Sequence, residues 1–183
     1  MKVTPILLHG ALTIDTSGFE DERGKFARFF CNEQLKDALG ERTVKQINYS
    51  LTFKKGTIRG MHFQYPPKAE VKLVRCLRGS VFDVMVDLRK GSETFLEWYG
   101  EILSGENMKM LYIPEGFAHG FQALEQNCEM LYLHTEFYMP SSEGGVRYDD
   151  PAIGIQWPLK ASDVSDRDYK HSLLTSEFAG IDV

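Results

Sequence analysis

From Thr43 onward the chain runs strand after strand with no room between them for a crossover helix, and that spacing narrows the fold more than any other feature. The segments VKQINYSL, TIRGMHFQ, EVKLVRCL, SVFDVMVDL, FLEWYGEIL, KMLYIP, GFQAL and CEMLYLHTEFY are separated by turn signals such as Lys54-Lys55-Gly56, Pro66-Pro67, Arg78-Gly79 and Lys90-Gly91. Parallel pairing through crossover helices needs a connection of a dozen or more residues and is excluded by this spacing, so the reading is an antiparallel sandwich or barrel. Residues 1–31 read as short strands around Gly10, Gly18 and Gly24, with a turn at 21–24. Asn32 then caps the single predicted helix, over 33–39, which Gly40 stops. The tail after Trp157 is polar with apolar anchors, helical or irregular. The expectation is all-β architecture in one domain over 1–183, without repeats or linkers.

At 183 residues the chain can bury roughly 70% of its unfolded surface and needs no staple. A net charge of −5 argues against a broad footprint on nucleic acid or an anionic membrane, since counterion release needs clustered cations. Cys31, Cys76 and Cys128 are odd in number, far apart and without a CxxC pair, which fits a reducing cytoplasm better than a disulfide or zinc framework. The apolar run before His9 is too short for a signal segment, and none reaches the ~18 residues of a membrane span. A soluble, cytoplasmic protein is expected.

The stretch GTIRGMHFQYPPKAEVKLVRCLR, residues 56–78, concentrates Arg59, His62, Lys72 and Arg75 in or beside apolar runs. Core strands rarely carry so many such groups unless a ligand needs them, which points to an anionic ligand. His62 reads either as a core histidine satisfied by backbone or as a base whose pKa range suits proton abstraction. Lys72 is either a snorkelling strand lysine or a fixed cation for an oxyanion, worth roughly 5 kcal/mol at ~3 Å and an effective dielectric near 20. Arg59 and Arg75 suit surface ion pairs or a diphosphate. Asp168 in VSDRD reads as a surface carboxylate or as the group orienting a histidine.

Strand parity sorts the rest. Cys128, Met130, Tyr132, His134, Glu136 and Tyr138 share one face, and Tyr132 or Tyr138 there is an aromatic anchor or an acid facing a carbanion. Asp83 lies with Val81, Met85 and Asp87 and needs a partner, for which Lys72 is the candidate. Arg59 and His62, three apart, should face opposite sides unless Gly60 hosts a bulge. IPEGFAH, residues 113–119, has the P-x-G-x-x-H spacing of the second half of a cupin signature, but the first half lacks its histidine pair. With His62 and His119 alone remaining, the donor count falls short of a metal site.

Taken together, FEDERGKF, QINYS, TIRGMHFQ, KLVRCLRGSVFDVMVDLRKGS, LYIPEGFAHGF, LYLHTEFYMPSSEG, DDPAIGIQWPL and VSDRD resemble the dTDP-4-dehydrorhamnose 3,5-epimerase family in order, from about Phe19 to Asp168. The resemblance implies a cupin-type jelly-roll β-barrel that epimerises a nucleotide-linked 4-keto-6-deoxy sugar without metal or cofactor, in deoxysugar biosynthesis. It implies His62 as base with Asp168 as partner, Lys72 as enolate stabiliser and Tyr132 as acid on the opposite face. His119 and Asp83 match other pocket positions. Arg59, Gln46 and Asn48 match residues handling diphosphate and sugar, and Tyr138 an aromatic patch near the base. Arg23 and Phe19 match a segment lent to the neighbouring subunit, hence a homodimer. The chain departs from the family pattern in a hairpin one residue longer between Ser50 and Arg59, in Tyr148 where tryptophan is usual, and in Ile47 and Tyr49 flanking Asn48. The other readings are a single-centre epimerase or ketoisomerase on a CDP- or GDP-linked keto sugar, or a non-catalytic sugar-binding cupin.

Overall fold

The structure, a computed structural model describing residues 1–183, is built almost wholly from strands. In chain order they are β1 (Lys2–Pro5), β2 (Leu12–Asp15), β3 (Gly18–Asp21), β4 (Gly24–Ala27), helix α1 (Lys36–Leu39), β5 (Gln46–Thr52), β6 (Thr57–Gln64), β7 (Lys72–Arg78) and β8 (Ser80–Asp87). There follow β9 (Trp98–Ser104), β10 (Met110–Ile113), β11 (Phe117–Ala123), β12 (Cys128–His134), β13 (Glu143–Gly145), β14 (Asp163–Val164) and helix α2 (Asp166–Tyr169). One sheet has the order β1-β2-β10-β7-β12-β5 and the other β13-β6-β11-β8-β9, while β3 and β4 form a separate hairpin. No helix is long and apolar enough to cross a membrane.

Every pairing along these two strand orders is antiparallel. β14 runs parallel to β6, pairing Asp163 with Thr57 and Val164 with Ile58. A long excursion from β13, rather than a crossover helix, makes this pairing possible.

Alternation along the strands divides the core into three. Between the sheets lie Val74 and Cys76 of β7, Val81 and Met85 of β8, and Phe117 and Phe121 of β11. The opposite side of the second sheet, with Val84 and Val86, is covered by Ile153, Ile155 and Ile181 of the tail. Leu73 and Met110 on the outside of the first sheet are covered by Leu35 and Leu39 around α1. β7 and β8 are therefore buried on both faces, which is why their sequences read as nearly continuous apolar runs.

The same parity corrects two readings. Arg75, an odd position of β7, points away from the cavity that Lys72 faces. Its Nη2 donates to Thr16 Oγ1 at 2.8 Å and to the Met108 carbonyl at 2.7 Å, and its guanidinium lies 3.9 Å from the Phe29 ring centroid. It is completely buried, so it is neither a surface ion-pair residue nor a diphosphate ligand, and burial lowers its pKa to about 10. The helix is also shorter than 33–39: residues 32–35 form turns, Leu35 rather than Asn32 is the cap, and Gly40 ends α1 at φ +58°.

The bulge anticipated at Gly60 is present. His119 pairs with His62 and Phe121 with Arg59, so two steps along β11 oppose three along β6. The surplus residue lets Arg59 and His62 open onto the same side. Gly60 has φ +129°, and a Cβ there would lie 2.5 Å from Gly120 Cα and 2.9 Å from the His119 carbonyl oxygen. Gly60→Ala is expected to cost about 2 kcal/mol or more, read as a lower denaturant midpoint.

Candidate active site

Side chains from β5, β6, β7, β11 and β12 and from the tail around α2 converge on a cavity of about 630 Å³. The parallel β14–β6 pairing sets α2 beside β6. There Ser165 caps the helix, its Oγ accepting from the Asp168 N–H at 3.1 Å. Asp168, 2% exposed, then reaches His62, with 2.7 Å between Oδ1 and Nε2. Its other oxygen accepts the Gly60 N–H at 3.2 Å, so the bulge glycine also anchors the carboxylate.

Burial by itself would raise the Asp168 pKa. The hydrogen bond and charge of His62 and the Gly60 N–H outweigh that and hold it at about 2. The carboxylate is thus ionised at neutral pH and keeps a proton on Nε2 of the neutral imidazole, leaving the lone pair on Nδ1. Arg167 Nη2 lies 3.1 Å from the same Nε2. A nitrogen donating to Asp168 cannot also accept from arginine, so the guanidinium acts as a neighbouring charge, tied to Glu143 at 3.0 Å.

Lys72 is 8% exposed, and its Nζ donates to the backbone carbonyl of His62 at 3.1 Å. The expected partnership with Asp83 is not formed as a hydrogen bond. Asp83 instead accepts from His119 Nε2, at 2.9 and 3.0 Å to its two oxygens. Asp83 has no exposed surface and sits behind His119 rather than on the cavity wall, so it orients that ring and does not touch a ligand. Burial raises its pKa, against the pull of His119.

Tyr132 faces the cavity with its hydroxyl 3.0 Å from Ser50 Oγ. Burial pushes the phenol well above its usual range, so it is protonated at neutral pH and fit to give a proton. Arg59 is steadied by Nε on Thr52 Oγ1 at 3.0 Å. Asn48 lines the cavity. Gln46 stands behind it, donating to Asn48 Oδ1 at 3.1 Å and accepting the Tyr138 N–H at 3.1 Å. Tyr138 lines the rim, its hydroxyl donating to Glu143 at 3.1 Å. β12 ends at His134, so Tyr138 and Glu136 do not continue its face as strict alternation predicts. Arg23 and Phe19 are on the β3–β4 hairpin and are not part of the cavity of their own chain; Phe19 is 71% exposed.

Ser50, Glu70, Glu143, Arg167 and His171 were not singled out in the sequence. For Glu70 a signal existed, two positions before Lys72 and on the same side by parity. The others arrive by tertiary placement. His171 brings a third donor beside His62 and Asp168, with ligand atoms within 4.8 Å of one another. These residues do not suit a cation, because His62 Nε2 is engaged by Asp168 and Arg167 already places positive charge there. His119, the other cupin-position histidine, is bound to Asp83.

An ionised carboxylate on an imidazole, a fixed ammonium and a protonated phenol around one cavity can move protons to and from carbon without redox chemistry, which places this cupin-like barrel among the isomerases. The model of dTDP-4-dehydrorhamnose 3,5-epimerase matches residues 5–176. The dTDP-4-dehydrorhamnose 3,5-epimerase of Salmonella typhimurium is 46% identical over 160 residues, 87% of either chain. Among solved structures, dTDP-6-deoxy-D-glucose-3,5-epimerase from Legionella pneumophila, in complex with dTDP-4-keto-L-rhamnose, superposes with a TM-score of 0.89 at 38% identity, covering 94% of this chain and 92% of that one. A 3′-monoepimerase from Streptomyces bikiniensis in complex with dTDP-quinovose reaches 0.86 at 31% identity, covering 92% and 86%. The chain belongs to the dTDP-4-dehydrorhamnose 3,5-epimerase family.

Because the Asp168 pKa is depressed, its stabilising contribution is complete above the ordinary aspartate range and is lost as pH falls through about 2. Wild type should exceed Asp168→Asn in stability at neutral pH by about 2 kcal/mol. That difference should shrink between about pH 4 and 2 in acid titrations followed by circular dichroism.

Proposed function

We propose that this chain inverts C3 and C5 of a dTDP-linked 4-keto-6-deoxy sugar of the dTDP-4-dehydro-6-deoxyglucose type. The observation that carries the proposal is the joint placement of His62, bonded to Asp168, and Lys72, bonded to the His62 carbonyl, on one cavity wall. The C4 ketone acidifies the hydrogens at C3 and C5. His62 takes one of them, and the enolate oxygen settles on the Lys72 ammonium, an interaction worth roughly 5 kcal/mol at ~3 Å and an effective dielectric near 20. Tyr132 returns a proton from the other face; His62 then gives its proton to water and the Tyr132 phenolate takes one back, which resets both groups for a second round at the second carbon.

Arg59 and Asn48 serve the diphosphate and sugar, and Tyr138 the nucleotide base. His119, steadied by Asp83, completes the polar wall. In a homodimer the β3–β4 hairpin reaches the neighbouring subunit, so that Arg23 and Phe19 complete the site across the interface. Phe19 and Phe26, 71% and 75% exposed in the single chain, support that reading, since paired exposed aromatics on a projecting hairpin mark an interaction surface. A dissociation constant for self-association above the millimolar range by sedimentation equilibrium would remove the homodimer.

Incubation with dTDP-4-dehydro-6-deoxyglucose in D2O should introduce two solvent deuterons, at C3 and C5, by mass spectrometry. One deuteron would make the protein a single-centre epimerase, and none would make it a binding protein. His62→Asn should abolish uptake, and Tyr132→Phe should impair one centre more than the other. Equal, slight effects of the two substitutions would remove these roles.

A further inference from the structure

Glu70 lies on the wall of the cavity, its side chain 7% exposed, and takes no part in the reaction as drawn above. We propose that Glu70 is a positioning residue that holds the Lys72 ammonium in place for the enolate, and that His134 fixes Glu70 for that task. The inference rests on the reading of Lys72 as enolate stabiliser.

An ammonium has three N–H donors on a flexible four-carbon stem. At Lys72 one is spent on the His62 carbonyl at 3.1 Å, and Glu70 Oε1 stands 3.3 Å from Nζ as its ion-pair partner. The remaining donors are left for a ligand in the cavity. Two anchors, one a hydrogen bond and one an ion pair, fix where the nitrogen sits; one anchor leaves it free to swing. Without Glu70 the lysine keeps its charge and loses its aim.

The carboxylate is itself held from the far side. His134 Nδ1 lies 2.8 Å from Glu70 Oε2, and His134 Nε2 lies 3.3 Å from Asn48 Nδ2. The Asn48 oxygen already accepts from Gln46, so the Asn48 amide donates to Nε2. The imidazole must then carry its proton on Nδ1 and give it to Glu70. Donors thus run in one direction, from Gln46 through Asn48 and His134 to the carboxylate, and Lys72 meets the same carboxylate from the opposite side. Burial would raise the Glu70 pKa, but the His134 hydrogen bond and the Lys72 charge outweigh it and leave the group below the usual glutamate range. Because His134 draws on the same negative charge, the ammonium is steadied without being neutralised.

The test is a double-mutant cycle with dTDP-4-dehydro-6-deoxyglucose turnover and dTDP binding as readouts. Glu70→Gln keeps the volume and an acceptor but removes the charge. It should lower kcat about tenfold or more, the scale of a misplaced catalytic group, with KM and the dTDP dissociation constant within about twofold of wild type. Glu70→Asp, which retains the carboxylate, should recover part of the loss. Lys72→Met alone should lower kcat about a hundredfold, and adding Glu70→Gln to it should cost little more. Wild-type kcat in Glu70→Gln beside a crippled Lys72→Met would overturn the positioning role alone. Full turnover by Lys72→Met would instead remove the lysine reading and this inference with it. Additive losses, with lower thermal stability and weaker dTDP binding in both Glu70 variants, would assign Glu70 to the scaffold and sink the proposal.

Discussion

The contact between His62 and Asp168 joins two parts of the chain separated by 106 positions, and most of the site's geometry follows from making it. Charge placed inside a barrel must be paired, because an isolated buried ion costs several kcal/mol. The protein meets that constraint repeatedly with local pairs: Asp168 with His62, Asp83 with His119, Glu70 with His134 and Lys72, and Asp87 with Arg89. The three carboxylate–histidine pairs bring a carboxylate from one segment to an imidazole on another, so they tie together strands that apolar packing alone would leave freer to slide. Several of these partners also face the cavity, and the same bonds that make the charges tolerable inside the barrel aim them.

A bulge in one strand is the backbone counterpart of this arrangement. Without the surplus residue at Gly60 in β6, alternation would send either Arg59 or His62 out of the cavity, and the Gly60 N–H would not stand where Asp168 accepts it. The joint placement of Arg59 and His62 is obtained by breaking a strand's regularity at one glycine, the residue type that tolerates φ +129°.

Much of the fold was legible because close-spaced strands admit few architectures, and alternation put Tyr132 and His134 on one face of β12, the face that opens on the cavity. The site's members came from the resemblance as much as from spacing. What sequence could not show was depth. Asp83 and Arg75 look like equally plausible ligands in the string of residues, yet one stands a layer behind His119 and the other on the outer face of β7, beneath Thr16 and Phe29. Nor does spacing reveal which carboxylate answers which cation: Lys72 seemed matched to Asp83 by hairpin neighbourhood, and is bonded to the backbone of its own catalytic neighbour instead. The helix limits were misread because Asn32 offers capping chemistry to a segment that the structure uses as successive turns. Arg167 and His171 left no periodic trace, since their position depends on the course of the tail.

That course has a consequence of its own. The partner of the imidazole hangs on a two-residue strand and a single turn of helix, both laid against the outer edge of β6 after the barrel is already complete in sequence. The His62–Asp168 contact is therefore held by the last and slightest piece of secondary structure in the molecule. Loosening of that piece alone would part Asp168 from His62 while every pairing within the two large sheets stayed in place.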